Sequence, residues 1–529
     1  MNVILYNGRV YPQYRVRTRP TAVVIEGSKI AAIGSDVTAL KRRYKGYRTI
    51  NLKGRTVIPG LVDSHVHFYF WAAAFDTVHL DGMPTFADAL AAIGRFAAEQ
   101  APDDWIFGDG WSADRWEEYH LPTASELDTV TGGHPAALFS KDQHIMWVNS
   151  RALRMAGIDR NTPDPAGGKI DRDRLTGEAT GILREIPGYF PVIKLISRPD
   201  RRKMDQLWDK TAQIAYSRGV TGFHSMDAAD AWTYFTERHR EGRLGFRVQY
   251  HFPVAMLEEI IDKGIVSGMG DETLRVGGVK IFADGSLGAQ TALMKKPYCG
   301  KTNDVGVTVT DVDDLIHQIG RSTRQNLACA VHAIGDRAVA NVITAFETVG
   351  MRSSLRHRIE HLQLISREDI PRLKKTGVVA SMQPSHCPSD RQLVAEYWGS
   401  RGRNAFVFKT LLHCGIPVTF GSDCPIERLD PLAGVNAAVN RTGYGERGGR
   451  FYPEEELTVA QAVRGFTTGP AHASGREAFS GKIAPGYQAD FVILDDDIYA
   501  MPRSQIYKAR VEATIFDGKC VYSGGSLNL

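Results

Sequence analysis

No run of this sequence is apolar for the ~20 residues a membrane-spanning helix needs. The opening segment, residues 1–8, holds an apolar stretch far too short for a secretory signal. The six cysteines (Cys299, Cys329, Cys387, Cys414, Cys424, Cys520) form no Cys-x-x-Cys pair and do not cluster, which excludes a disulfide framework and a cysteine-built zinc site. No block of Lys and Arg stands with aromatics between its members. Basic and acidic residues, 64 against 60, are interspersed, so nucleic acid and membrane surfaces are excluded as partners. Internal repeats and low-complexity segments are absent too. Together these absences predict a soluble cytoplasmic protein acting on a small-molecule substrate, and they are compatible with a homodimer.

What is present is a chain of 529 residues, 43% of them hydrophobic, enough for one large domain and smaller ones. Its organising stretch is Asp63-Ser64-His65-Val66-His67, reached through the apolar run at 56–62. Alternate residues of a strand share a face, so His65 and His67 point the same way, and two neutral imidazoles can hold one divalent cation. A lone His-x-His pair is weak evidence, but later segments answer it. The apolar stretches ending in Lys280, His332, His361 and Asp423 are each a short strand closing on a residue that can serve a metal centre.

Residues 2–57 read as short strands at 3–6, 22–25 and 29–34, with Asn7-Gly8 as a tight turn. The C-terminus carries similar material at 481–483, 489–494, 511–516 and 519–522. Chain ends commonly lie close together, which predicts one composite β-sandwich from 1–57 plus 476–529. After His67 the pattern departs from a simple strand-helix alternation. A helix capped by Thr85 runs to about residue 100, with Phe86, Leu90, Ile93 and Phe96 on one face, and a turn-rich loop spans 161–177. This predicts an inserted α/β lid domain at 74–185, because so long a connection exceeds a compact crossover.

From about residue 200 strands alternate with helices, at 221–224, 247–251, 278–283, 329–332, 358–361, 378–382 and 418–421. With the strand before His65 that makes eight, which predicts an α/β fold of the TIM (β/α)8 barrel type over 58–73 plus 186–475. Active sites of such barrels form at the C-terminal strand ends, where every candidate ligand falls. His65, His67, Lys280, His332, His361 and Asp423 are thus expected to converge as a metal site.

Four histidines and a carboxylate suit Zn2+ best, with Mn2+, Co2+ or Fe2+ as alternatives, as one ion or two. Lys280 is the odd member, since an ammonium has no lone pair to give. Burial would lower its pKa, and the neutral amine can take up CO2 to become a carbamate bridging two metals. Lys280 as a plain lysine paired with Asp284 or a substrate anion is the other reading. Asp423 is the expected catalytic residue, accepting a proton from the attacking water. His224, His386, Trp111 and Arg115 are candidate substrate contacts. Asp336 is read as a helix cap, and thiol nucleophiles at Cys387 and Cys424 are not expected, because neither has a paired base.

These residues resemble the amidohydrolase superfamily of metal-dependent hydrolases, and within it the YtcJ-like group that includes N-substituted formamide deformylase. The likeness runs through the stretch from Val57 to His67, Leu121-Pro122-Thr123, Trp147-Val148-Asn149-Ser150, Lys280 to Gly288, His332 to Asp336, Arg358 to Gln363, Met382-Gln383-Pro384, Gly421-Ser422-Asp423 and Gly481 to Gly486. It implies the composite sandwich, the barrel, the inserted domain, and a metal centre hydrolysing C–N bonds of amides such as N-substituted formamides or acyl-amides. Hydrolysis of cyclic amides or lactones is the alternative activity, and a catalytically silent binding protein on the same barrel is the alternative class. One departure is Gln143, in Asp142-Gln143-His144, where the group tends to carry glycine. Its bulk implies a different substrate.

Overall fold

A computed structural model of the chain describes residues 2–13, 19–101, 103–196, 199–350, 354–446, 449–527 and 529. They form two compact units. One comprises Met1–Tyr69, Asp209–Ile281 and Val312–Leu529, the other Phe70–Trp208 and Phe282–Asp311.

The first unit contains a barrel of eight strands: β1 (Leu61–Val66), β2 (Val220–Ser225), β3 (Arg247–Pro253), β4 (Leu274–Phe282), β5 (Ala328–Ala333), β6 (Arg358–His361), β7 (Val379–Met382) and β8 (Val418–Phe420). Successive strands are hydrogen-bonded neighbours, in parallel registers that set His224 opposite Gln249 and His332 opposite Glu360. The chain beyond β8 returns to β1. Asp423 N–H donates to the His65 carbonyl at 2.7 Å, and His67 N–H donates to the Cys424 carbonyl at 2.9 Å. Both bonds lie at the strand ends that carry the candidate ligands. The helices Val312–Arg324 and Asp336–Val349 flank β5 and bury one apolar face each, Leu315 and Ile319 in the first, Val339, Val342, Ile343 and Phe346 in the second. Asp336 is the first residue of its helix, and Gly335 holds the cap position.

The apolar run at 56–62 is not one strand. It breaks at Gly60, whose N–H donates to the Asp490 carbonyl at 2.8 Å, so that Thr56–Pro59 pairs antiparallel with Phe491–Leu494 and Leu61 begins the barrel. A Cβ on Gly60 would stand 2.2 Å from Thr221 Oγ1, so the break needs glycine.

Thr56–Pro59 belongs to a five-stranded sheet with Arg9–Val10, Phe491–Leu494, Val511–Phe516 and Lys519–Ser523, whereas Asn2–Tyr6, Ala22–Glu26, Lys29–Gly34 and Arg48–Asn51 form a four-stranded sheet of their own. Val3, Leu5, Val23 and Ile25 share one core with Phe491, Ile493 and Ile515. The alternate residues Ile4 and Val24 point the other way, towards Leu40 and Tyr44. The stretch 481–483 is irregular rather than a strand, with Ile483 in the common core. Removing the chain beyond residue 475 is expected to expose this core. Hydrogen exchange over residues 3–33 should accelerate sharply in the truncated protein, and unchanged protection would show that the N-terminal sheet stands alone.

The second unit has a six-stranded sheet in the order Lys169–Arg172, Ala179–Arg184, Ile145–Val148, Ala136–Ser140, Ile106–Trp111, Val78–His79. Its helix Phe86–Ala97 is capped as expected, Thr85 Oγ1 accepting from Asp88 N–H at 3.1 Å. The unit is larger than 74–185, because the connection after β4 joins it. Ala289 packs in the core with Trp111 and Ile182, and Ser286 Oγ donates to Asp142 Oδ2 at 2.5 Å. The expected loop at 161–177 contains the short strand Lys169–Arg172. Gln143 has φ +61°, so a glycine at this position relieves backbone strain there. No helix among the described residues is long and apolar enough to cross a membrane.

Candidate metal centre

Each ligand candidate is placed by the way its strand ends. β1 delivers His65, and His67 follows one residue past the strand, with the ring centroids 5.7 Å apart. His361 closes β6 and Asp423 lies three residues beyond β8. Both have left-handed backbones, φ +67° and +62°. Such a conformation costs a non-glycine residue about 1–2 kcal/mol, and it clusters at functional sites because the surroundings must enforce it. Here the enforcement is visible. A Cβ on Gly421 would come within 2.5 Å of His65 N and 2.7 Å of Asp63 Oδ1, so only glycine lets the end of β8 lie against β1. The buried Asp63 carboxylate ties the two ends together, accepting from the backbone N–H of His65 and of Ser422, each at 3.0 Å.

Asp423 is the hub. Its Oδ1 is 3.4 Å from Nε2 of both His65 and His67. Its Oδ2 is 3.9 Å from His361 Nδ1 and from His386 Nε2. His65, His361 and Asp423, all buried, can each offer a ligand atom within 4.8 Å of the others, and they are the one such group among the described residues. The His332 ring lies against His361 with centroids 4.4 Å apart. Lys280 is buried, and its charge acts on both His65 and His361.

Behind these candidate ligands lies a buried charged pair, Arg358 and Glu360. His65 Nδ1 donates to Glu360 Oε2 at 2.5 Å. Arg358, fully buried, donates to both oxygens of Glu360, to the Ser64 carbonyl, to Ser381 Oγ at 2.6 Å and to His224 Nδ1 at 2.8 Å. His361 Nδ1 donates to Gln383 Oε1 at 2.9 Å. With Nδ1 engaged in this way, His65 and His361 keep the Nε2 lone pair for a cation, the usual arrangement around a ligating imidazole.

Electrostatics agree with that use. Burial and the Lys280 charge push the His65 imidazolium down to about 4, and burial with the neighbouring His332 and His65 pushes His361 well below its usual range. Both rings are therefore neutral. Burial alone would raise Asp423 and Glu360. His65 and His67 outweigh it at Asp423, and Arg358 and His65 outweigh it at Glu360, so both carboxyls are held far below the usual carboxylate range. Neutral imidazoles around an ionised carboxylate fit a divalent cation of the zinc type.

The remaining sequence candidates separate. His224 is buried against Arg358 in the barrel interior. His386 is at the site, its ring 6.3 Å from His361 and nearly parallel to it. Trp111 is a core residue of the second unit, 1% exposed, its indole N–H bonded to the Leu138 carbonyl at 2.9 Å. Arg115 is exposed on the short turn Ala113–Arg115 of that unit. Burial pushes the Cys387 thiol up to about 11, which removes the thiolate a nucleophile needs.

Arg358 and Glu360 lie outside the expected ligand set, yet they back it directly through His65. Their signal was present, since two charges at i and i+2 in an apolar strand must share the interior face. Glu360→Gln is expected to weaken metal affinity about 10- to 100-fold, the usual cost of losing an outer carboxylate. Competition with a chelator measures this, and unchanged affinity would leave Glu360 a purely structural partner of Arg358.

Barrel and centre together define the class of (β/α)8 hydrolases whose strand ends gather histidines and a carboxylate around a metal. The chain belongs to the amidohydrolase family, whose model matches residues 48–522. It is 32% identical to YtcJ of Bacillus subtilis (strain 168) over 534 residues, 99% of each chain. To the N-substituted formamide deformylase of Arthrobacter pascens it is 27% identical over 531 residues, 95% of this chain and 94% of that one. Among solved structures it is similar to an uncharacterized metal-dependent hydrolase from Pyrococcus horikoshii OT3, with 28% identity, TM-score 0.76, and 95% and 99% of the two chains covered.

Proposed function

We propose that this protein is a metal-dependent hydrolase that cleaves the C–N bond of an amide-type small molecule, of the N-substituted formamide or acyl-amide kind. The observation that carries the reading is the ionised Asp423 carboxylate, 3.4 Å from Nε2 of both His65 and His67. The similarity to N-substituted formamide deformylase along nearly the whole chain supports the bond type. His65, His67, His332, His361 and Asp423 would hold the cation, with Zn2+ the best match to the donor set. When bound, such a cation supplies Lewis acidity and makes a water more acidic. Asp423 takes the proton from the attacking water as its oxygen bonds to the acyl carbon. The carboxylate then passes that proton to the leaving nitrogen as the C–N bond breaks.

Lys280 enters this reading as a carbamate, whose two oxygens would add to the residues that hold the cation. Burial brings its ammonium down to about 8. At pH 7 about a tenth of such amines are neutral, against about one in three thousand at the ordinary value, so addition to CO2 becomes accessible. Six free cysteines suit a reducing compartment such as the cytoplasm.

The test is a panel of N-substituted formamides, N-acyl amino acids, cyclic imides and lactones offered to the metal-loaded protein. Release of amine from the open-chain amides supports the reading. Turnover confined to lactones or cyclic imides would overturn it.

A further inference from the structure

His386 follows β7 in the four-residue helix His386–Ser389, 6% exposed. Its Nε2 has no hydrogen-bond partner among the described residues and faces Asp423 Oδ2 from 3.9 Å, too far for a bond. Leaving a buried donor or acceptor unmatched costs about 1–3 kcal/mol, so an atom left in this state beside a reactive carboxylate calls for an occupant.

Which kind of atom it is follows from the other side of the ring. Gln363 Nε2 lies 3.1 Å from Asp390 Oδ2 and 3.3 Å from His386 Nδ1. A carboxylate only accepts, so it fixes the NH2 end of the Gln363 amide towards itself. That same NH2 group faces His386 Nδ1, which must therefore be the acceptor. The ring proton is left on Nε2. Asp390 sets Gln363, Gln363 sets the imidazole, and the imidazole presents an N–H to the space beside Asp423.

The geometry points to His386 as a catalytic hydrogen-bond donor to the carbonyl oxygen of the substrate, the oxygen that gains negative charge as water adds to the acyl carbon. Gln363 and Asp390 are positioning residues that lock the donating tautomer. The assignment rests on the acyl-hydrolysis reading above. A fixed donor aimed at a developing oxyanion is worth roughly 10²–10³ in kcat, and placing it next to the proton-accepting carboxylate puts both groups on one acyl centre.

His386→Leu removes the donor, and His386→Gln restores an N–H near the position of Nε2. The first is expected to lower kcat about 100-fold, with little change in KM or in metal content, and the second to recover at least 10-fold of that loss. Independently of turnover, long-range 1H–15N spectra of the metal-loaded protein, assigned by the His386→Leu difference, should show His386 protonated at Nε2 in the wild type. Gln363→Leu should give a mixture of tautomers. A wild-type ring protonated at Nδ1 overturns the assignment, as does His386→Leu keeping kcat within about 3-fold with its metal intact. A parallel loss of metal and activity in His386→Leu would make His386 a structural partner of Asp423 and also overturn it. If the wild type hydrolyses none of the amide panel while the Nε2 tautomer is observed, the bond-type reading has failed and the orientation of His386 has not.

Discussion

Asp423→Asn is expected to lower kcat by at least about 10³-fold while the protein keeps most of its metal. The asymmetry comes from the site. His65, His67, His332 and His361 would supply most of the ligation, whereas Asp423 is the carboxylate with an oxygen 3.4 Å from two of them and a second oxygen left to face His386. Asparagine keeps the size and removes the base. Steady-state rates and metal content measured on the same preparations test this, and near-normal kcat in a metal-replete Asp423→Asn protein would end the proton-transfer role. The pH dependence has a definite sign. The pKa of His65 is lowered to about 4, so the neutral ligating form persists as pH falls and is lost only towards that value. Asp423 is also held below the usual range and stays ionised over the same interval. Metal retention should therefore be flat through weakly acidic pH and fail as pH approaches about 4.

Lys280→Ala is expected to lose bound metal and, with it, turnover, because a carbamate at this position would contribute two oxygens that share a negative charge. Short carboxylic acids supplied with metal should restore part of the activity by standing in for those oxygens. The chemistry also predicts a pH effect on assembly. A lowered lysine pKa means that the neutral, CO2-reactive amine becomes the main form as pH rises through about 8. Reactivation of stripped protein by metal plus bicarbonate should accordingly be faster at pH 8.5 than at pH 6.5. Reactivation that ignores both bicarbonate and pH would remove the carbamate, and a single-cation centre held by the histidines and Asp423 would replace it.

The sequence made the barrel legible because each candidate ligand closes an apolar run, and core histidines have no reason to collect at strand ends. The Thr85 cap and its apolar face were legible for the same reason: helix period and capping chemistry are local. What was hidden depends on contacts distant in sequence. The break at Gly60 is imposed by Thr221, which lies 161 positions later, and the run from Thr56 to Val62 carries no local sign of it. The chain at 282–311 joins the second unit through Ala289 and Ser286, small residues that give no periodic pattern. Trp111, an aromatic residue near a turn, reads from sequence as a candidate substrate contact. Its side chain lies in the core of the second unit, its indole N–H satisfied by a backbone carbonyl. Arg358 and Glu360 were visible as letters, but their role needed the register that lays β6 against β5 and the reach of Arg358 to Ser64 and His224.

A cation held by His65, His361, Asp423 and their neighbours is expected to be required for amide hydrolysis. The direct test purifies the protein without chelators, measures its metal content and its rate of amine release from an N-substituted formamide, strips the metal, and reloads Zn2+. A stoichiometric divalent metal is predicted, with activity lost on stripping and restored on reloading in proportion to the metal bound. Full hydrolysis by metal-free protein would show that the reaction needs no cation.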